Sequence, residues 1–302
     1  MDGLLIIDKP AGVTSFDVVR TLRRCCRTRK IGHAGTLDPL ATGVLPVAIG
    51  QATRLIEYLM AGEKVYQTTL RLGVATDTQD AEGRVVAEAD WQNVSREALD
   101  LACATLTGCI SQMPPMYSAI KQNGQPLYRL ARQGVEVERE AREVTIKAIE
   151  VLRFELPEVD LRVTCSKGTY IRTLCHDIGV KLGCGAHLTA LRRCRNGLFD
   201  EVDSVPLNEI ERLAAAGEDL PLLSPAQALA DWPLVVIEGD VALRLKDGIA
   251  PKCGELTGQA DPGQRVRIMV SGQLAAIATW PQQDDETFDA SLELLKVFPA
   301  GI

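Results

Sequence analysis

The segment Gly32-His33-Ala34-Gly35-Thr36-Leu37-Asp38-Pro39-Leu40-Ala41-Thr42-Gly43 holds a single carboxylate, Asp38, between apolar flanks and glycines. Pro39 biases Asp38 away from helical dihedrals, and the glycines allow a ligand close to the backbone. The whole stretch therefore reads as a loop that presents one acid beside a partly dry pocket. An ionised carboxylate there can stabilise or trap a centre that becomes positive, or remove a proton. A solvated Asp-Pro turn is the plainer alternative for the dipeptide alone. Metal chemistry is not expected. Cys175, His176, Cys184 and His187 match no common ligand spacing, and Cys175 fits the apolar face of a helix.

The twelve residues around Asp38 are similar, nearly letter for letter, to the catalytic motif of the tRNA pseudouridine synthase B family, whose essential residue is this aspartate. Asp8-Lys9-Pro10-Ala11-Gly12-Val13-Thr14-Ser15 resembles the family's N-terminal motif, and Tyr117-Ser118-Ala119-Ile120-Lys121 resembles a further signature near the RNA. Cys165-Ser166-Lys167-Gly168-Thr169-Tyr170-Ile171-Arg172-Thr173-Leu174 resembles the segment that carries a pocket tyrosine and an arginine. His187-Leu188-Thr189-Ala190-Leu191-Arg192-Arg193 resembles the motif whose leucine lines the pocket. The likeness spans most of residues 1–200.

This resemblance implies a pseudouridine synthase fold, α+β, with a mixed, mainly antiparallel sheet flanked by helices. It implies isomerisation of the T-loop uridine at position 55 of tRNA to pseudouridine, with Asp38 as the catalytic carboxylate. Tyr66 would stack on the target base, Tyr170 and Leu191 would line its pocket, and Arg172 would pair with Asp38. Such a pair keeps the acid ionised where desolvation alone favours the protonated form. Tyr170 and Arg172 can face one pocket only where the chain is extended or just entering its helix. His33 would wedge into the RNA loop and hold the base out of its stack. Lys9 would sit beside the cleft, and Lys121 toward the RNA. Taken singly, Tyr66 and Leu191 read as core, Arg172 as a helix-surface arginine, and the lysines as solvated. The reaction moves no hydride, phosphoryl group or metal-bound species, so no cofactor is expected. tRNA, through its T-arm and elbow, is the expected partner, with no protein partner and a monomeric chain. A non-catalytic tRNA-elbow binder would share the basic face, but it has no use for an Asp38–Arg172 pair, since buried ion pairs are weak stabilisers.

The elements that must position these groups follow from pattern. Strands are expected at residues 4–7, 44–49, 64–72, 144–154 and 159–165. Ser15 is the expected cap of a helix over residues 15–26, with Phe16, Val19 and Leu22 on its apolar face. Further helices are expected at 52–60, 95–106 with Ser95 as cap, 126–133, and 169–182 with Thr169 as cap. Three prolines within residues 220–233, Pro221, Pro225 and Pro233, read as a linker. Residues 1–230 are then the catalytic domain, with an RNA-contacting insertion near 113–143. Residues 231–302, with short β-type runs, are expected to form a small PUA-like β-barrel.

At 302 residues, 46% hydrophobic and 24% charged, the chain has the composition of a globular protein. The net charge of −7 hides an asymmetry. Residues 1–198 carry 26 Lys and Arg against 22 acids, a net +4, while residues 199–302 carry 7 against 18, a net −11. Phosphate contact is therefore expected from the N-terminal part. Three basic clusters are candidates: Arg20 to Lys30, Arg129 with Arg132, and Arg192, Arg193 and Arg195. No apolar run approaches the ~20 residues of a membrane span, and none resembles a signal peptide, so a cytoplasmic protein is expected.

Overall fold

A computed structural model describes the chain apart from residues 119, 123, 136, 283–288, 299, 300 and 302, and apart from the side chains of residues 121, 122, 126, 128 and 132. The strand Gly3–Lys9 shows how the architecture arises. Its apolar residues alternate between two cores: Leu5 and Ile7 face one, Leu4 and Ile6 the other. A strand buried on both sides needs an unbroken apolar run, which is what residues 4–7 supply.

The main sheet runs in the order Val205–Pro206, Gly3–Lys9, Thr42–Ile49, Ala186–Asn196, Lys64–Leu72, Glu158–Cys165, Arg142–Glu155, Gly108–Gln112. Most neighbours are antiparallel; Val205–Pro206 against Gly3–Lys9 and Ala186–Asn196 against Thr42–Ile49 are parallel. One face packs against the helices Ser15–Cys25, Arg96–Thr105, Ile171–Leu182 and Leu207–Ala216. The other face is covered near the first two long strands by residues 52–59 and by the C-terminal region.

Several helix ends differ from expectation. Thr14, not Ser15, caps the first helix, through a reciprocal box with Asp17. Ser15 is buried, and Phe16 is 58% exposed rather than in the core. Residues 50–59 split into a 3-10 turn, Gly50–Leu55, and one helical turn, Ile56–Leu59. The fifth expected helix begins at Ile171 with Tyr170 as its cap, while the Thr169 hydroxyl donates to Ser166 O at 3.0 Å. Ser95 caps its helix as expected.

In the C-terminal region the strands Leu234–Val236, Arg265–Val270, Gln273–Thr279 and Glu293–Val297 form a four-stranded sheet in that order. Its edge strands do not pair with each other among the described residues, so no closed barrel is formed by them. Its own core, around Val235, Leu245, Ile268 and Ala276, is separate from that of the main sheet. Met269, Leu274, Ile277 and Phe298 face the main sheet's second core, and Arg54 lies over the Phe298 ring while donating to Val297 O at 2.7 Å. No helix is long and apolar enough to cross a membrane among the described residues.

Candidate active site

Asp38 lies beside a seam in the main sheet. The parallel strands Thr42–Ile49 and Ala186–Asn196 are in register at Thr42–Arg192 and Gly43–Arg193. Residues 34–41 form the loop that enters this junction. His33 is not in that loop; it ends the short strand Ile31–His33. Gly43 has φ +99°, and a Cβ there would collide with the Arg193 backbone, so only glycine lets the two strands meet.

The loop is held through its own carbonyls. Asn196 Nδ2 donates to Ala34 O at 2.8 Å, Arg193 Nη2 to Gly35 O at 3.0 Å, and Gly12 N–H to Pro39 O at 2.8 Å. The buried Ser15 hydroxyl donates to Leu37 O at 3.0 Å and accepts from Leu37 N–H at 2.8 Å. Lys9 is fully buried beneath the loop, with Nζ donating to Pro10 O at 2.8 Å, Val13 O at 2.7 Å and Pro39 O at 3.4 Å. Its ammonium is spent on backbone carbonyls yet lies near enough to Asp38 to favour the ionised carboxylate, and burial lowers its own pKa to about 8. A loop tied this tightly presents the carboxylate without reorganisation when a ligand arrives.

Arg172 Nε meets Asp38 Oδ2 at 3.0 Å, and the same guanidinium meets Asp80 Oδ2 through Nη1 at 3.0 Å. Nη1 and Nη2 also donate to Thr78 O at 3.3 Å and Tyr117 O at 2.8 Å. Arg172 and Asp80 are buried, whereas Asp38 keeps 35% of its side chain exposed, facing the cleft. Asp80 is in turn held by the Thr78 hydroxyl at 2.6 Å and by Glu82 N–H at 3.1 Å. Burial pushes the Asp38 carboxyl above the usual carboxylate range, with Arg172 pulling it down and Asp80 pushing it up. An acid needed in its ionised form is lost as pH falls through that raised value. Single-turnover rate against pH should accordingly show an acid limb above the ordinary aspartate range. A limb at that range would mean that the acid is solvated, and one below it that the Arg172 charge outweighs burial.

Two hollows open onto this pair. One, of about 260 Å³, is lined by Tyr66, Tyr170, Leu191 and Arg193; the other, of about 710 Å³, runs between Phe16, His33, the turn at residues 77–84 and Tyr117. Asp38 and Arg172 line both. Tyr66 and Leu191 are each 8% exposed, on adjacent antiparallel strands. Tyr170 is extended at the helix start (φ −97°, ψ 106°), so it and Arg172 can face the same cavity. The Gln112 amide fixes it there, donating to Tyr170 O at 3.1 Å and accepting from Tyr170 N–H at 2.8 Å. Burial raises both phenol pKa values, so the rings are neutral. At the groove, burial lowers the His33 pKa, and its Nδ1 has no hydrogen-bond partner among the described residues. A neutral ring is suited to stacking. The Lys121 side chain lies outside the described residues.

The basic clusters part company. Arg20, Arg24, Arg27, Arg29 and Lys30 are exposed, and so is Arg129, while the Arg132 side chain lies outside the described residues. Arg192 is taken by Asp8 and Glu201, Arg195 by Glu63, and Arg193 is 1% exposed, so that cluster is not the phosphate-binding surface expected of it. Residues that the sequence did not single out are Asp80 and Gln112, and Ser15 was expected only as a helix cap within the N-terminal motif. The Asp80 stretch reads as a solvated polar turn, because its partner arginine lies 92 residues away.

Residues 23–171 match the model described as the TruB family pseudouridylate synthase N-terminal domain, and residues 172–227 the tRNA pseudouridylate synthase B C-terminal domain. The chain is 48% identical over 303 residues to the tRNA pseudouridine synthase B of Syntrophotalea carbinolica, covering 100% of this chain and 99% of that protein. The chain belongs to the tRNA pseudouridine synthase B family. A second family relative, from Geobacter sulfurreducens, is 44% identical over 304 residues, covering 99% of this chain and all of that one. Among solved structures, an H/ACA ribonucleoprotein bound to a substrate RNA containing 2′-deoxyuridine superposes with a TM-score of 0.75 at 26% identity, over 98% of this chain and 84% of that one. The two family models divide between Asp38 and Arg172, so the ion pair joins one matched segment to the other.

Proposed function

We propose that this chain isomerises a tRNA uridine, the T-loop uridine at position 55, to pseudouridine, with Asp38 acting on a base extruded into the 260 Å³ cavity. The observation that carries the reading is one carboxylate, bound to a buried arginine, at the mouth of a cavity walled by two tyrosines and a leucine in a chain of this family. The uracil N1–C1′ bond breaks, the base turns, and C5 bonds to C1′ in its place. Positive charge develops on the ribose as the first bond weakens, and an anion at Asp38 opposes it. Arg172 keeps that anion available in a poorly hydrated place.

Extruding the base costs about a few kcal/mol. Stacking on Tyr66 returns ~1–3 kcal/mol, and phosphate contacts by the exposed run from Arg20 to Lys30 supply more. His33 and the exposed Phe16 stand at the entrance to the groove, where they can fill the gap left in the RNA loop. Residues 1–230 act as the catalytic domain and 231–302 as a PUA-like module. The acidic balance of residues 199–302 puts the main phosphate contacts on the N-terminal part.

Incubation with unmodified tRNA, followed by chemical derivatisation that stops reverse transcription at pseudouridine, should give one new stop in the T-loop. No stop would refute the function. Release of free uracil would make the protein a hydrolytic N-glycosidase instead.

A further inference from the structure

The cavity that is to receive the base contains a charge the scheme above does not use. Arg193 is 1% exposed, and it leads the fully buried side chains in size. Its sequence neighbours Arg192 and Arg195 are ion-paired at the surface, whereas no carboxylate lies within ion-pair distance of Arg193 among the described residues. Two of its arms are spent on backbone: Nε donates to Val44 O at 2.7 Å and Nη2 to Gly35 O at 3.0 Å. These bonds fix the guanidinium plane without neutralising it. The remaining arm, Nη1, lies against Gly35, where even a Cβ would come within 3.4 Å of it, and the group reaches the Tyr66 phenol. Together with Asp38, Tyr66 and Leu191 it walls the 260 Å³ cavity. A buried cation held only by carbonyl dipoles is costly to keep. It becomes useful where negative charge appears during a reaction.

Resting on the function proposed above, we propose that Arg193 is a catalytic residue for the base: its guanidinium receives the negative charge that develops on a carbonyl oxygen of uracil as the N1–C1′ bond breaks. The electron pair of that bond goes to N1 and is shared with O2 directly and with O4 through the C5–C6 double bond. Asp38, opposite, meets the positive charge left on the ribose. When C5 bonds to C1′, the ring gives up its charge to the new bond. The proton then lost from C5 is matched by the one gained at N1, so the reaction remains an isomerisation. The cavity thus sets Asp38 on the sugar side and Arg193 on the base side; Lys64, which also lines it, spends its ammonium on the carbonyls of Met60 and Gly62. The acid and the guanidinium are both fixed before substrate enters, because Arg193 is anchored by Gly35 O in the loop that presents Asp38 and by Val44 O in the strand that follows it.

The test compares Arg193→Met and Arg193→Lys with the unaltered protein in single-turnover reactions, on RNA carrying uridine or 5-fluorouridine at the target. Loss of the original nucleoside is read by nuclease digestion and chromatography. Fluorine makes the departing ring a weaker base that needs less help. The methionine variant should lose on the order of 10²–10³-fold on uridine, as when one oxyanion donor is removed. It should lose at least tenfold less than that on 5-fluorouridine, with tRNA affinity within a few-fold of the parent. Arg193→Lys, which keeps the charge, should fall between. It carries the comparison alone if thermal melting shows that the methionine variant does not fold. Equal losses on both substrates, or a lysine variant as poor as methionine, would make Arg193 a structural strut and overturn the assignment. Failure of the unaltered protein to form any pseudouridine would remove the function itself, a different result from either.

Discussion

Asp38→Asn should reduce single-turnover pseudouridine formation by on the order of 10⁴-fold or more, while tRNA affinity stays within a few-fold of the parent. The substitution is nearly isosteric. Arg172 stays held by Asp80, Thr78 and Tyr117, and the loop keeps its anchors to Ser15, Arg193, Asn196 and Gly12. What disappears is the negative charge that faces the ribose. An amide can neither trap the sugar centre nor take a proton from it. Rate and affinity therefore separate, which a change that merely loosened the fold would not produce. Turnover retained above a few per cent would mean that another group does the chemistry, and the function proposed for this carboxylate would fail.

Arg172→Leu should cost both activity and stability. Its guanidinium is shared between Asp38 and Asp80, and it also satisfies the carbonyls of Thr78 and Tyr117. Removing it leaves Asp80 as a buried, unpaired anion, a change that costs about 3–5 kcal/mol. Asp38, still partly open to the cleft, is relieved by solvent and contributes less. Urea titration should show the loss directly. The double variant Arg172→Leu with Asp80→Asn removes the stranded charge. It should recover most of the stability but none of the activity, because Asp38 still lacks its partner and becomes protonated more readily. Recovery of activity in the double variant would show that Arg172 acts only as scaffolding. A silent single variant would mean that the pair is not formed.

The two experiments bear on different parts of one constellation, and those parts were not equally visible in the chain. Asp38 stood out because a loop with glycines and proline around one acid is unusual over twelve residues, and the resemblance covered all of them. The strand Lys64–Leu72 was equally plain, with β-branched and aromatic residues in alternation, and it came out with the expected bounds. Asp80 carried no such mark. Its partners Thr78 and Glu82 are those of any polar turn, and only Arg172, brought in by the helix Ile171–Leu182, makes it part of the site. Phe16 shows the reverse error: helical spacing put it on the apolar face, yet the neighbouring elements cover Val18, Val19 and Leu22 and leave it at the groove.

By itself, then, the sequence determined the local elements, the likeness to one family, and the identity of the acid, because each depends on residues within a few positions of one another. Tertiary structure alone decided which charges are buried and which face water. Arg192 and Arg193 are adjacent, yet one pairs with Asp8 and Glu201 at the surface and the other lies almost fully enclosed beside Gly35. The physical reason is the alternation of a β-strand, which sends neighbouring side chains to opposite faces. What lies on each face is settled by segments more than 100 residues away, through contacts that no local pattern encodes.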